Sequence, residues 1–510
     1  MHGMKETRQF DVVVMGSGLG GLTTALLLAK AGKKVAVLEK NNQFGGNLQT
    51  FVRDREIFDS GVHYIGGLAA GQNLNRYWSH LGILDSLEFE QMNPDQFDVI
   101  RFKDDPIAYP QAQGYSNFIE QLSQRFPAEK QAIGRYIDSI KYYCAAFPLY
   151  NLEKNFDYPA ALMGHTCLEV IQSLTQNSKL QAVLLGNGFL YGLHADSPFY
   201  VHALTINSYI QSAWRCLKGG SQITKALTKQ LRLHGAKLYS HQEVEQLHFD
   251  GEILLSCETA AYKYQAEHFI SNISVLRLFE LFDGHQRRKP YVKRIEGLKE
   301  GPSVFSTHLV LKPESIPYFK HNIFYFEQAE DCFGYQHNWT GHRPKSMMIS
   351  CSPTLPNQDY ANNISMLSYM DCKQFAPWAE SFNTVKNPGE RGQGYSELKQ
   401  AIATEMIDIL ETYIPNCKKH IKSIYTSSPL TYRDYIGSKS GAMYGIEKSA
   451  SNALGSMISP KTKIKNLFLS GQDVRLHGLL GVTITGFLCA AEIIGRDELF
   501  DPLIQEGVHA

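Results

Sequence analysis

The first residues able to do chemistry stand together at Gly16-Ser17-Gly18-Leu19-Gly20-Gly21, a GxGxxG sequence, with Glu39 following 18 positions after Gly21. Glycines spaced in this way cradle phosphates. Gly16 permits a tight turn, Gly18 lets the backbone approach a pyrophosphate, and Gly21 lets a helix lie close to a strand. A helix that begins here offers free N–H groups and partial positive charge to an anion. A carboxylate at Glu39 can accept hydrogen bonds from ribose hydroxyls. Ser17 and Gly20 within the loop, and Lys40 beside Glu39, belong to the same candidate binding set. The combination indicates a dinucleotide site, and by itself it suits FAD and NAD equally.

These side chains meet only if the right elements carry them. Residues 11–15 read as a buried parallel strand, 20–31 as an Ala/Leu-rich helix ended by Gly32, and 34–38 as a second strand. From about 84 to 205 the pattern is helical and irregular, broken at Phe126-Pro127 and Phe147-Pro148. Gly219-Gly220-Ser221 opens a helix that runs through His234. A strand near 237–240, an alternating stretch at 243–249 and a short strand at 268–272 come next. Strand-like runs at 303–311, 346–351 and 364–370 precede an amphipathic helix at about 394–413. A final strand at 464–470 feeds a glycine-rich loop and helix.

Composition narrows the class. Fifty Lys plus Arg balance fifty Asp plus Glu in 510 residues, which leaves no basic footprint for nucleic acid. A chain of this length buries enough surface to need no staples and divides into two or three lobes. The nine cysteines include no CxxC or other close pair, so zinc and dithiol redox readings fail, and they read as buried thiols of a reducing compartment. His337 and His342 lack metal-ligand spacing, and no metal is expected. The ten residues before the first strand leave no room for a secretory leader. The apolar stretch 479–494 is interrupted by Gly481 and Gly486 and is too short to span a bilayer. A cytoplasmic chain without signal peptide or transmembrane helix is the expectation.

Further blocks separate FAD from NAD by resemblance. Gly45-Gly46, then Phe58-Asp59-Ser60-Gly61-Val62-His63-Tyr64-Ile65-Gly66, resemble the opening of the FAD-dependent amine oxidase and phytoene desaturase superfamily. Leu469-Ser470-Gly471-Gln472-Asp473 and Gly478-Leu479-Leu480-Gly481 resemble its closing motif. Together with Ser428-Pro429-Leu430-Thr431 and Gly441-Ala442-Met443-Tyr444-Gly445, they are most similar to the retinol saturase branch, neighbour to carotenoid isomerase and phytoene desaturase. Asn47 stands where amine oxidases carry Arg.

The resemblance implies an α/β fold, a Rossmann-like FAD-binding domain with an inserted mixed α+β substrate domain. Its FAD-binding parts would be 1–84, 206–285 and 456–510, with substrate-domain insertions at 85–205 and 286–455. It implies FAD contacts from Gly45, Gly46, Asn47 and His63. Val244 would meet the adenine and Ser271 would close its strand. Gly471 and Asp473 would lie at the ribityl chain, and Gly481 and Val482 at the flavin's pyrimidine edge. His63 is the first candidate proton donor, and Tyr444 and Tyr432 are further ones. NAD(P)H is a candidate electron donor. The implied activity is oxidoreduction of a conjugated carbon–carbon double bond in a lipophilic isoprenoid or polyene, as in 13,14-reduction. Carotenoid desaturation or cis–trans isomerisation is the alternative; an amine oxidase or a cofactor-free binder like the GDP-dissociation inhibitors stands further off. A C20 polyene gains on the order of 15 kcal/mol by leaving water, at about 0.8 kcal/mol per carbon unit. It therefore requires a long apolar cavity and peripheral contact with a membrane. Residues 142–150 and 183–193 are candidate walls.

Overall fold

The computed structural model describes residues 5–153, 159–335 and 339–505. His337 and the first four residues lie outside them.

The chain's first strand, Glu6–Met15, ends in a fully buried run, Val12 to Met15. Such a run is buried on both faces, as in a parallel sheet covered by helices. Val12 and Val14 face one side, against the helices Leu19–Lys30 and Gly478–Ile494; Val13 and Met15 face the other, against Val275–Glu280 and Pro290–Glu296. The parallel sheet runs Lys237–Tyr239, Val35–Leu38, Glu6–Met15, Tyr262–Ser271, Leu467–Leu469. An antiparallel hairpin, Gln246–Asp250 and Ile253–Glu258, extends it beside the first half of Tyr262–Ser271.

Register decides where function can sit. Met15 pairs with both Leu38 and Ser271, Leu38 with Tyr239, and Ser271 with Leu469. The carboxyl ends of all these strands are therefore level, and the loops leaving them share one edge. Ligands of open α/β sheets bind at such an edge.

A second sheet of seven strands runs Ile421–Ser427, Ser303–Leu311, Asn363–Met370, Ser346–Ser350, Asn322–Phe326, Asp98–Phe102, Tyr109–Gln111. One face rests on the helix Gly392–Tyr413, through Ile402, Met406, Ile409 and Leu410 at helical spacing. The other face meets the helices Lys130–Ala145, Ser178–Leu185 and Phe199–Gln211.

The helical reading of 85–205 needs correction. Phe89–Gln91, Asp98–Phe102 and Tyr109–Gln111 are strands, and Asp98–Phe102 pairs in parallel with Asn322–Phe326, more than 200 residues away. Such a pairing is nonlocal and leaves little periodic signal in a short segment. The expected strand and helix centres elsewhere stand within a few residues of those observed, including Ser303–Leu311, Ser221–Leu233 and Gly392–Tyr413. No helix among the described residues is long and apolar enough to cross a membrane.

Candidate cofactor and substrate site

At the level edge lies a solvent-open cleft, the broadest of those at this edge, with about 1250 Å³ of empty space counted to its mouth. Its walls are 16–20, 39–41, 45–48, 272–274, 443–445 and 470–473, closed by Gly478, Leu479 and Val482. Of the expected cofactor residues, the cleft brings together Gly16, Ser17, Gly18, Gly20, Glu39, Lys40, Gly45, Gly46, Asn47, Gly471, Asp473 and Val482, with Tyr444 among them.

Close approach of chain segments builds the floor. Gly16 holds φ +95°, open to glycine at little cost, and a Cβ on Gly21 would stand 2.5 Å from the Gly16 carbonyl oxygen. A Cβ on Gly18 would fall 2.6 Å from Asn272 Nδ2, and one on Gly471 2.7 Å from Asn272 Oδ1, which accepts from the Gly21 amide at 2.8 Å. Asn272 is thus the side chain around which the glycines pack. Sequence reasoning places it at a strand end without a role.

The polar wall is preorganised. Glu39, 5 % exposed, accepts from the Ser17 amide (3.1 Å), the Ser17 hydroxyl (2.5 Å) and the Asn41 amide (2.9 Å). Ser17 Oγ in turn accepts from the Gly45 amide at 3.0 Å, tying the second glycine pair to the first loop. Lys40 donates to the Asp434 carbonyl, and burial lowers its pKa. The Asp473 carboxylate takes the Val275 amide on one oxygen (2.8 Å) and the Ile446 amide on the other (3.1 Å), and burial raises its pKa. It fastens two loops of the wall together, a role that its motif does not reveal.

The residues present fit a dinucleotide. The helices Leu19–Lys30 and Gly478–Ile494 both start at the cleft, with no side-chain cap and no acidic residue in the first turn. Their free amides and dipoles are available to anionic groups. Asn47 Oδ1 is buried without a partner among the described residues, an acceptor in want of a donor.

Five expected residues stand elsewhere. Gly21 serves helix packing, as its spacing predicts. Gly481 lines the neighbouring apolar cavity. Ser271 is buried with its hydroxyl unpartnered among the described residues, while the next residue, Asn272, reaches the cleft; alternation along the strand decides between them. Val244 packs half-buried with the Val13 and Met15 core. His63 is flanked by the lining residues Gly61 and Val62, but is itself not a lining residue. Burial and the nearby Arg215 charge hold its imidazole down to about 4, so it is neutral near pH 7.

Two further cavities adjoin the cleft. One, a narrow space partly open to solvent, shares Gly478 and Leu479 with it and is lined mainly by Ile65, Leu74, Tyr150, Leu204, Tyr209, Leu480 and Ile484. Val201, Leu204, Thr205 and Ser208 of Phe199–Gln211 enter it at helical spacing. Of the candidate walls only Tyr150 does so; Tyr142 is exposed, and Val183 belongs to the core. The other cavity, with room for about one water, shares Tyr444 and Gly445 with the cleft and is lined by His194, Lys448 and His477. Tyr444 donates to the Phe189 carbonyl at 3.3 Å, and burial raises its pKa to about 12; Tyr432 pairs with Ser306 Oγ at 2.9 Å.

A cleft at the carboxyl edge of a parallel sheet, floored by a GxGxxG loop and bordered by two helix N-termini, is the architecture of a dinucleotide-binding enzyme. The chain belongs to the flavin-containing amine oxidoreductase family, whose model matches residues 19–373. Among individual proteins it is similar to human all-trans-retinol 13,14-reductase, 26% identical over 96% of this chain and 86% of that protein. The carrot prolycopene isomerase is 23% identical over 96% of this chain and 81% of that one. In structure it resembles an oxidoreductase from Methanosarcina mazei, with a TM-score of 0.63 at 14% identity, covering 94% of this chain and 99% of that one. The expected fold class is thus the observed one, and the chain is an FAD-dependent oxidoreductase.

Proposed function

We propose that the protein reduces a conjugated carbon–carbon double bond in a lipophilic isoprenoid or polyene, in the manner of a 13,14-reductase of retinol. The observation that carries this reading is the apolar cavity that meets the cofactor cleft at Gly478 and Leu479, so that an apolar chain can lie against the flavin end. Similarity to a retinol reductase over nearly the whole chain supports it.

Bound FAD would supply the hydride. The phosphate loop 16–21 and the Glu39 network would hold its adenosine and pyrophosphate, while Gly471, Gln472 and Val482 would border its ribityl and flavin portions. The aliphatic and tyrosine walls orient the substrate and exclude water, which is the protein's main contribution to such a transfer. The finer parts of the proposal are NAD(P)H as electron donor, a cytoplasmic location and peripheral membrane contact, required by the poor solubility of such a substrate.

The test is anaerobic. Photoreduced enzyme is mixed with a panel of retinoids and carotenoids, and flavin reoxidation is followed with product mass. A gain of two hydrogens is expected; a loss with the oxidised enzyme would indicate a desaturase, and unchanged mass an isomerase, the reading favoured by similarity to the prolycopene isomerase. Failure of every polyene to reoxidise the flavin would sink the proposal and leave the flavoprotein intact. Bleaching by NADPH or NADH in the absence of substrate identifies the donor, and co-flotation with lipid vesicles measures membrane contact.

A further inference from the structure

The small cavity beside the cleft holds a buried cation that nothing so far uses. Lys448 is 4 % exposed, and its ammonium makes one hydrogen bond among the described residues, a 3.2 Å bond to the Asp473 carbonyl. An ammonium has three donors, so two are unused by the described residues, and Lys448 is one of the residues lining the small cavity. No carboxylate lies within ion-pairing distance of it among the described residues, although the Asp473 charge is near enough to favour its protonated form. Burying a cation with so few partners is costly, and proteins keep such groups where they have a task.

His477 stands on the boundary. It lines this cavity together with Lys448 and also lines the apolar cavity. Its Nε2 is buried without a partner among the described residues, and its ring lies 5.2 Å from that of Tyr444, which faces the cofactor cleft. One imidazole thus touches both the compartment with the lysine and the compartment that suits an apolar substrate.

We propose that Lys448 is the acid of the reaction and that His477 carries its proton into the apolar cavity. This rests on the double-bond reduction proposed above. Hydride from the reduced flavin forms one C–H bond, and the π electron pair of the substrate double bond then takes a proton at the other carbon. That proton leaves His477 from one ring nitrogen while the other nitrogen accepts a proton from a water in the small cavity, which takes one from the Lys448 ammonium. Among the described residues no direct hydrogen bond joins the two side chains, and both line that cavity. Lys448 is left as a neutral amine, to be reprotonated from water between turnovers. The titratable residues around this relay are Asp473, whose charge favours the ammonium, His194, whose Nε2 meets the Lys448 carbonyl at 3.2 Å, Glu447 at the cavity's wall, and Tyr444 and Tyr191, whose hydroxyls are engaged by the Phe189 carbonyl and by His202.

Burial pushes the Lys448 ammonium down to about 8 and the His477 imidazole down to about 3, the latter helped by the Lys448 charge. At neutral pH the lysine is therefore charged and the histidine neutral, the states that the relay needs. A lysine this acidic is matched to proton transfer near neutrality.

The test uses FAD-loaded enzyme. In wild type, reoxidation of reduced flavin by a saturating polyene should fall as pH rises through about 8. Lys448→Met should slow it 10²- to 10⁴-fold, the usual contribution of a positioned acid, and abolish the alkaline limb. Lys448→Arg keeps the charge and a donor for the Asp473 carbonyl but does not release a proton near neutrality; it should retain flavin and remain as slow as Lys448→Met. A readout independent of turnover is the flavin absorption band, which should shift with pH near 8 in wild type and not in Lys448→Met. Rescue by Arg, or a raised KM with an unchanged saturated rate, would make Lys448 an anchor for a polar substrate end and overturn the proposal. A wild type that no polyene reoxidises would instead overturn the function on which it rests.

Discussion

Asp473 shows how a motif residue can act through geometry that its motif does not reveal. Each carboxylate oxygen holds a loop amide, so Asp473→Ala would strand two N–H groups in a buried place. At about 1–3 kcal/mol for each unsatisfied group, a loss of several kcal/mol is expected together with much weaker flavin retention. Full flavin content in the purified variant would count against this role. Gly445→Ala tests the same contact from the other side: its Cβ would stand 2.1 Å from Asp473 Oδ1, at a φ of +68°. Asp98 gives a pH prediction. It is fully buried and accepts only from neutral donors, Tyr64 (2.7 Å), Asn187 (2.6 Å) and Asn322 (2.8 Å), and burial raises its carboxyl to about 7. A carboxyl raised on folding contributes stability that is full below the unfolded value near 4 and lost as pH climbs through 7, on the order of 4 kcal/mol in all. Thermal unfolding at pH 5 and pH 8 should show this slope in wild type and lose it in Asp98→Asn.

At the scale of elements, the floor of the cleft depends on two helices that approach closely at a glycine of one of them. A Cβ on Gly486 of Gly478–Ile494 would lie 2.7 Å from Thr23 Cγ2 and 3.2 Å from the Gly20 carbonyl oxygen of Leu19–Lys30. Gly486→Leu should force the helices apart at a cost of about 1–3 kcal/mol or more. Because both helices start at the cleft, flavin should be released at lower denaturant than in wild type; flavin fluorescence during urea unfolding reports it. The helices themselves are legible from Ala/Leu-rich runs and glycine stops. The strand Asp98–Phe102 is not, since its partner is far along the chain and its buried Asp98 interrupts the apolar run that a buried strand would show.

At the scale of the whole molecule, the cleft is assembled from chain segments near residues 16, 45, 272, 444 and 471. A ligand that touches all of them binds only the folded state, so FAD should raise the unfolding temperature. The gain is about 2.7 kcal/mol when free FAD is a hundred times its Kd. Equal melting of the FAD-saturated and flavin-stripped forms would contradict the assembled site.

The dinucleotide loop, its flanking strands and the closing glycines were determined by sequence alone, because turn chemistry and hydrophobic period are local properties. Which residues line the cleft was decided by tertiary structure. Val244 and Ser271 point into packing, Asn272 fills the space that the glycines leave, and His63 is set aside from the lining. The meeting of Lys448 and His477 at one small cavity likewise depends on loops that come together only once the parallel strands end level. Nothing in the spacing of 448 and 477 announces that proximity, since long-range contacts are fixed by packing and register rather than by neighbours in sequence.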